Sequence, residues 1–203
     1  MAAFLKLALR NQRGQALIEL SLIVPLMVLL AFGAVEVGSV ISTYLTITHT
    51  TREGANLASR GGGLPISING ANYSSPDDVL DTIISAAAPT MRATNQAQWR
   101  VIYSKVRRDN TPCLNPPCNY IVETAAGGQI TRGNLSKQSK LGTATGTPIS
   151  PSALPGIENV KDNQTFHVFE VFYDYAPSII TFVGKGINTD FYDRTIFTDV
   201  SGT

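Results

Sequence analysis

Hydrophobic positions fall into three regimes along the chain. Sixteen of the twenty residues over 16–35 are apolar, and 20–35 carries no charge. A run that long and apolar on every side predicts a membrane-crossing helix. From Val37 onward the pattern becomes one-sided: Val37, Val40, Ile41, Tyr44 and Leu45 recur at helical spacing opposite Ser39, Ser42, Thr43 and Thr46. That change predicts a helix that has left the lipid and lies with its apolar stripe on a protein surface. Unbroken from Gln15 to Arg60, such a helix is about 70 Å long, more than twice the hydrocarbon thickness. Gly61-Gly62-Gly63 and Pro65 then stop it, because that run has little helix propensity.

Beyond the glycines the pattern is that of an α+β domain. Ser75-Pro76-Asp77-Asp78 supplies an N-cap, a first-turn proline and two acids that suit the helix dipole. Val79, Leu80, Ile83, Ile84 and Ala87 follow at helical spacing, which predicts a helix ending near Pro89. Runs rich in aromatic and β-branched residues at 99–106, 120–124, 166–175 and 194–200 read as strands. The stretch 166–173 is apolar on both faces, as a central strand requires. Together they predict a small antiparallel sheet packed on the long helix. Residues 125–163 are mostly Gly, Ser, Thr, Pro, Asn and Gln and read as a long flexible loop or insertion, with too little apolar surface to offset the entropy of ordering.

Composition supports an anchored rather than a freely soluble chain. Only 15% of residues are charged, against about 25% in soluble domains, while 43% are hydrophobic. The net charge of +1 and the absence of a basic cluster argue against a nucleic-acid partner. Residues 1–14 contain Lys6, Arg10 and Arg13 and no acid, which holds that end in the cytoplasm and sends the remainder outward. A cleaved secretory signal is the competing reading, with Ala31, Gly33 and Ala34 as a small-residue site; its apolar core is about 7 to 15 residues, shorter than this run.

Glu19 stands in the apolar run, where a carboxylate costs roughly 2.5 to 3.5 kcal/mol at mid-helix and less near the interface. If the chain is cut after Gly14, the new ammonium of Gln15 lies about one turn from Glu19, or from Glu19 of a neighbouring subunit, and the two charges neutralise each other. The plainer alternative is a carboxylate snorkelling at the headgroups. Pro25 predicts a local kink or loosened turn. Ala31, Ala34 and Gly38 form a small-residue stripe on which another helix can pack closely.

Cys113 and Cys118 are the two cysteines, separated by Leu-Asn-Pro-Pro, a spacing that lets the sulfurs meet in an oxidising compartment. We expect a local disulfide, since zinc would need two further ligands and redox catalysis a two-residue spacing. His49 and His167 fall on a helix and a strand and read as ordinary histidines. No nucleophile motif marks a hydrolase. Tyr173 and Tyr175, beside Asp174, read as a packed sheet edge rather than as a carbohydrate-binding platform. No catalytic group, metal or cofactor is expected.

The segment Arg13-Gly14-Gln15-Ala16-Leu17-Ile18-Glu19-Leu20, with Ser21-Leu22-Ile23-Val24-Pro25-Leu26, Phe32-Gly33 and Val35-Glu36-Val37-Gly38 after it, resembles the N-terminus of the TadE-like family. These are minor pilins or pseudopilins of tight-adherence (Flp/Tad) type IV pilus systems. Thr51-Arg52-Glu53-Gly54-Ala55 is similar to the family's stretch just after the membrane helix, and Phe172-Tyr173-Asp174-Tyr175-Ala176-Pro177 resembles the family less specifically. The resemblance implies cleavage by a type IV prepilin peptidase between Gly14 and Gln15 and retention in the bacterial inner membrane. It also implies a non-enzymatic role in building or regulating the pilus. Its partners would be other pilins or TadE-like pseudopilins and the inner-membrane assembly platform. Major Flp-type pilins carry Tyr where Leu20 stands, so the resemblance points away from the major subunit. The expected organisation is a basic leader at 1–14, a transmembrane helix at 15–36, its amphipathic continuation at 37–60, and a periplasmic or extracellular domain at 61–203. The alternative is a permanently anchored binding or adhesin-like module that is neither processed nor polymerised.

Overall fold

The computed structural model describes residues 2–60, 66–68, 71–73, 76–91, 95–108, 119–124, 128–142, 146, 148–149, 154, 165–176 and 189–198. In chain order these form α1 (Ala2–Arg60), β1 (Ile66–Ile68), β2 (Ala71–Tyr73), α2 (Pro76–Met91), a short 3-10 turn (Gln96–Gln98), β3 (Trp99–Arg108), β4 (Tyr120–Val122), β5 (Gln129–Arg132), β6 (Pro148–Ile149), β7 (Thr165–Tyr175) and β8 (Thr189–Thr198). The architecture is α+β, a long apolar N-terminal helix and an antiparallel sheet domain. Contacts divide the chain into two compact units, Met1–Ile41 with Ala176–Ile187, and Ser42–Tyr175 with Asn188–Thr203.

In the first unit the described structure is helix. It runs through Gly14 and through Pro25, whose missing N–H removes one backbone hydrogen bond. Large apolar side chains point outward along it, with Leu17 at 67% and Leu22 at 71% exposure.

In the second unit a six-stranded sheet has the order β6-β4-β3-β7-β8, with β5 also paired to β3, and every pairing is antiparallel. The strand expected to be central is central: β7 lies between β3 and β8 and is buried without a break from Phe166 to Tyr173. Side chains alternate between faces along a strand. Odd-numbered residues of β7 face the α1 segment after Ser42, where the Phe169 ring meets Gly54. On β8 the same face presents Asp193, which accepts a hydrogen bond from the Thr51 hydroxyl, and Phe191, whose ring lies 6.1 Å from that of Tyr44. On the opposite face Phe166 and Val168 join Val106, Tyr120, Val122, Leu141, Ile149 and Leu154 in a core.

Which face of the helix is buried differs from the expectation. Val37, Ile41, Tyr44 and Leu45 are 49–59% exposed, while Thr43, Ile47, Thr50, Thr51, Ala55 and Ser59 are buried. The reason is shape. The sheet offers large aromatic side chains, so the helix meets it with small ones, and the buried hydroxyls satisfy themselves on carbonyls of the preceding turn. Thr50 donates to Thr46 O at 2.8 Å and Ser59 to Asn56 O at 2.8 Å, while the single Thr51 proton goes to Asp193. A threonine bonded in this way can be buried at little polar cost.

Residues 125–163 also depart from the single long loop. β5 pairs with β3 through Val101↔Arg132 to Ser104↔Gln129, β6 pairs with β4, and Leu141, Ile149 and Leu154 are core residues. Widely spaced single apolar residues gave no periodic signal, yet each fills one site on the sheet. The helix expected from Ser75 is α2, which ends two residues past Pro89 and buries Leu80, Ile83 and Ala87. β8 starts at Thr189 rather than 194, because pairing with β7 carries the polar stretch Asp190 to Arg194 into the sheet. The β1–β2 hairpin was not expected. Its two strands are separated by Asn69-Gly70, a sequence signal for a tight hairpin that could have located it.

Candidate functional site

The segment that carries the family-like motif is exposed helix. Gly14 and Gln15 are both accessible, and Gln15 Nε2 donates to Glu19 Oε1 at 3.2 Å. The i,i+4 spacing puts these groups on one face. An ammonium at Gln15 would therefore arise within one turn of this carboxylate, the geometry that a pairing of Glu19 with the processed terminus needs.

From Gly14 to Leu57 the helix is long and apolar enough to cross a membrane, and none of its most apolar window is buried within the chain. A stripe of Leu, Ile, Val and Phe this large does not stay in water. Ala31, Ala34 and Gly38 are all exposed, and a Cβ placed on Gly14, Gly33 or Gly38 would meet nothing within 4 Å. Glu36 is different. It is 4% exposed, the buried residue within 14–42.

The other candidate residues are not gathered into a site. Cys113 and Cys118 lie outside the described residues. His49 is exposed on α1, whereas His167 is buried on β7 with its Nδ1 2.7 Å from the Tyr103 hydroxyl. No cluster of three or more His, Cys, Asp or Glu side chains occurs among the described residues. Tyr173 and Tyr175 are buried as expected, but on β7, which is paired on both sides, rather than at a sheet edge.

Sequence reasoning missed Glu170. This side chain is fully buried on β7 and accepts hydrogen bonds from the Ser139 hydroxyl, the Lys140 backbone N–H at 3.1 Å and the Tyr192 hydroxyl at 2.9 Å. Burial first, and the neighbouring Glu170 charge second, push the Tyr192 hydroxyl well above the usual phenol range. Lys140 lies 3.4 Å over the Tyr192 ring, and Lys137 pairs with Asp190 at 2.6 Å. These contacts strap residues 137–141 across β7 and β8. A charged residue amid Phe169 and Val171 was the available signal, since a buried carboxylate needs partners.

Residues 14–56 match the family model described as TadE-like protein. The chain therefore contains a TadE-like segment, and that segment is the exposed apolar helix together with the start of the small-residue face against the sheet. No curated protein and no solved structure matches the chain.

Proposed function

We propose that the protein is a minor pilin or pseudopilin that assembles into, or regulates, a tight-adherence type IV pilus. The observation that carries this reading is the TadE-like match over residues 14–56, a class associated with Tad pili and generally non-enzymatic. The exposed apolar helix supports it, as does the Gln15–Glu19 geometry at the point where the basic leader ends. On this reading the leader is cytoplasmic, a prepilin peptidase cuts between Gly14 and Gln15, and the C-terminal domain faces the periplasm or the assembled pilus. Glu19 then neutralises the new terminus, its own or a neighbour's. Other pilins or TadE-like pseudopilins pack along the Ala31, Ala34 and Gly38 stripe, with the inner-membrane platform as the site of assembly. A Cys113–Cys118 disulfide belongs to the same outward location.

The test is the N-terminal residue and intact mass of the protein from its native membrane. A chain beginning at Gln15 is expected, with a mass two protons short if the disulfide is formed. A chain beginning at Met1 would leave a permanently anchored module, and one beginning beyond Gly33 would mean a secretory signal.

A further inference from the structure

An open cleft of about 470 Å³ lies between α2, the Gln96–Gln98 turn and the β3–β5 pair. Its size is that of pockets that take small organic ligands. Trp99, the one tryptophan of the chain, stands in its wall at 3% exposure, and its Nε1 is buried with no hydrogen-bond partner among the described residues. Gly133 closes the turn over this residue. Its φ is +85°, and a Cβ there would overlap the Trp99 carbonyl and come within 2.6 Å of the indole. The wall is thus shaped by backbone that only glycine can supply.

The polar side chains around the cleft hold one another in place and keep capacity in reserve. Arg132 Nε is 2.8 Å from Asp81 Oδ1, Asn134 Nδ2 donates to Gln96 Oε1 at 3.3 Å, and Ser85 Oγ donates to Thr82 O at 2.8 Å. That leaves Asp81 Oδ2, Asn134 Oδ1 and the Ser85 oxygen as acceptors, and Gln96 Nε2, the second Asn134 Nδ2 hydrogen and the Trp99 Nε1–H as donors. Among the described residues of the lining, the one cation, Arg132, is matched by the one anion, Asp81, so the site has no net charge to attract an ionic ligand. Acceptors and donors side by side suit a ligand whose groups both donate and accept. Hydroxyls do this. An anion, which only accepts, would meet the Asp81 carboxylate.

We propose that this cleft binds a neutral, hydroxyl-rich ligand, namely a sugar unit of a glycan. The inference rests on the domain alone and is independent of whether the helix is processed or assembled.

Because the chain has one tryptophan, its fluorescence reports on the cleft directly. The full chain, held in a detergent without a sugar headgroup, is titrated with galactose, glucose and N-acetylglucosamine. At least one is expected to give a saturating change. Asn134→Ala and Asp81→Asn, both at exposed side chains, should each weaken it by about tenfold, the loss of one good hydrogen bond. Circular dichroism of the variants confirms that they fold. No saturable change with any of the three sugars overturns the proposal, as does a titration that both variants leave unaltered. A saturable response to inorganic phosphate or glutamate in their place would overturn it too, by assigning the cleft to an anion.

Discussion

Gly54 of α1 sits against the ring of Phe169 on β7 so closely that a Cβ on the glycine would lie 2.6 Å from the ring's Cζ. Phe169 is itself buried, at 1% exposure. Alanine normally gains up to about 1 kcal/mol over glycine in a helix. Here overpacking of about 1–3 kcal/mol opposes that gain, so Gly54→Ala should destabilise the domain. Denaturant unfolding of Gly54→Ala, Phe169→Leu and the double variant checks this. The double variant is expected to be more stable than the sum of the single effects allows, because the smaller side chain relieves the contact.

Glu170 holds residues 139–140 to the sheet through its three accepted hydrogen bonds. Glu170→Ala strands the donors of Ser139, Lys140 and Tyr192 and opens a void in the middle of β7. The three donors are only part-buried, so water replaces some of the lost bonds, and a loss of about 1–3 kcal/mol is expected for the three together. Hydrogen exchange should show the Lys140 amide losing protection ahead of the β3–β7 ladder. Glu170→Gln, which keeps an acceptor oxygen, should cost less.

Tyr192 gives the domain an alkaline limit. Its folded pKa is raised above the ordinary phenol value of 10.0, so between those two values the unfolded chain has lost the phenolic proton while the folded chain keeps it. Stability from this group is complete below about pH 10 and falls as pH rises above it. Urea midpoints measured across that range should fall more steeply for the wild type than for Tyr192→Phe. Tyr120, also raised by burial, contributes to both and does not cancel the difference.

Gly38 separates folding from assembly. A Cβ there meets nothing within 4 Å among the described residues, so Gly38→Leu should leave the unfolding free energy within about 0.5 kcal/mol of wild type. If the Ala31, Ala34 and Gly38 stripe carries helix packing, the same substitution lowers recovery of cross-linked complexes from membranes. Unchanged cross-linking would remove this stripe from the assembly surface.

Glu19→Ala addresses the other end of the helix. Loss of the carboxylate removes the partner of a processed Gln15 terminus, and assembled pili should fall while membrane insertion of the single subunit persists. Electron microscopy for pili and membrane fractionation for the subunit read the two separately. Pili at wild-type number would reject the charge-pairing role.

The sequence by itself determined the features that depend on short-range pattern. The uncharged apolar run reads as a membrane helix because lipid solvation acts on each residue in turn, and Gln15 and Glu19, four apart, share one face of any helix. Ser75-Pro76 starts α2 by local capping chemistry, and the run at 166–173, rich in aromatic and β-branched residues on both faces, reads as a central strand. Only the tertiary structure decided which side of α1 is buried. Val37, Ile41, Tyr44 and Leu45 form the more apolar stripe, yet Ile47, Thr51, Gly54 and Ala55 are the buried ones, since the Phe169 ring lies against Gly54 and leaves no space there for a larger side chain. It also decided that Leu141, Ile149 and Leu154 are core residues and that Glu170 meets Ser139 and Tyr192. Those partners lie far apart along the chain, and no periodicity links them: packing against a sheet is a property of the assembled face and not of any window of sequence.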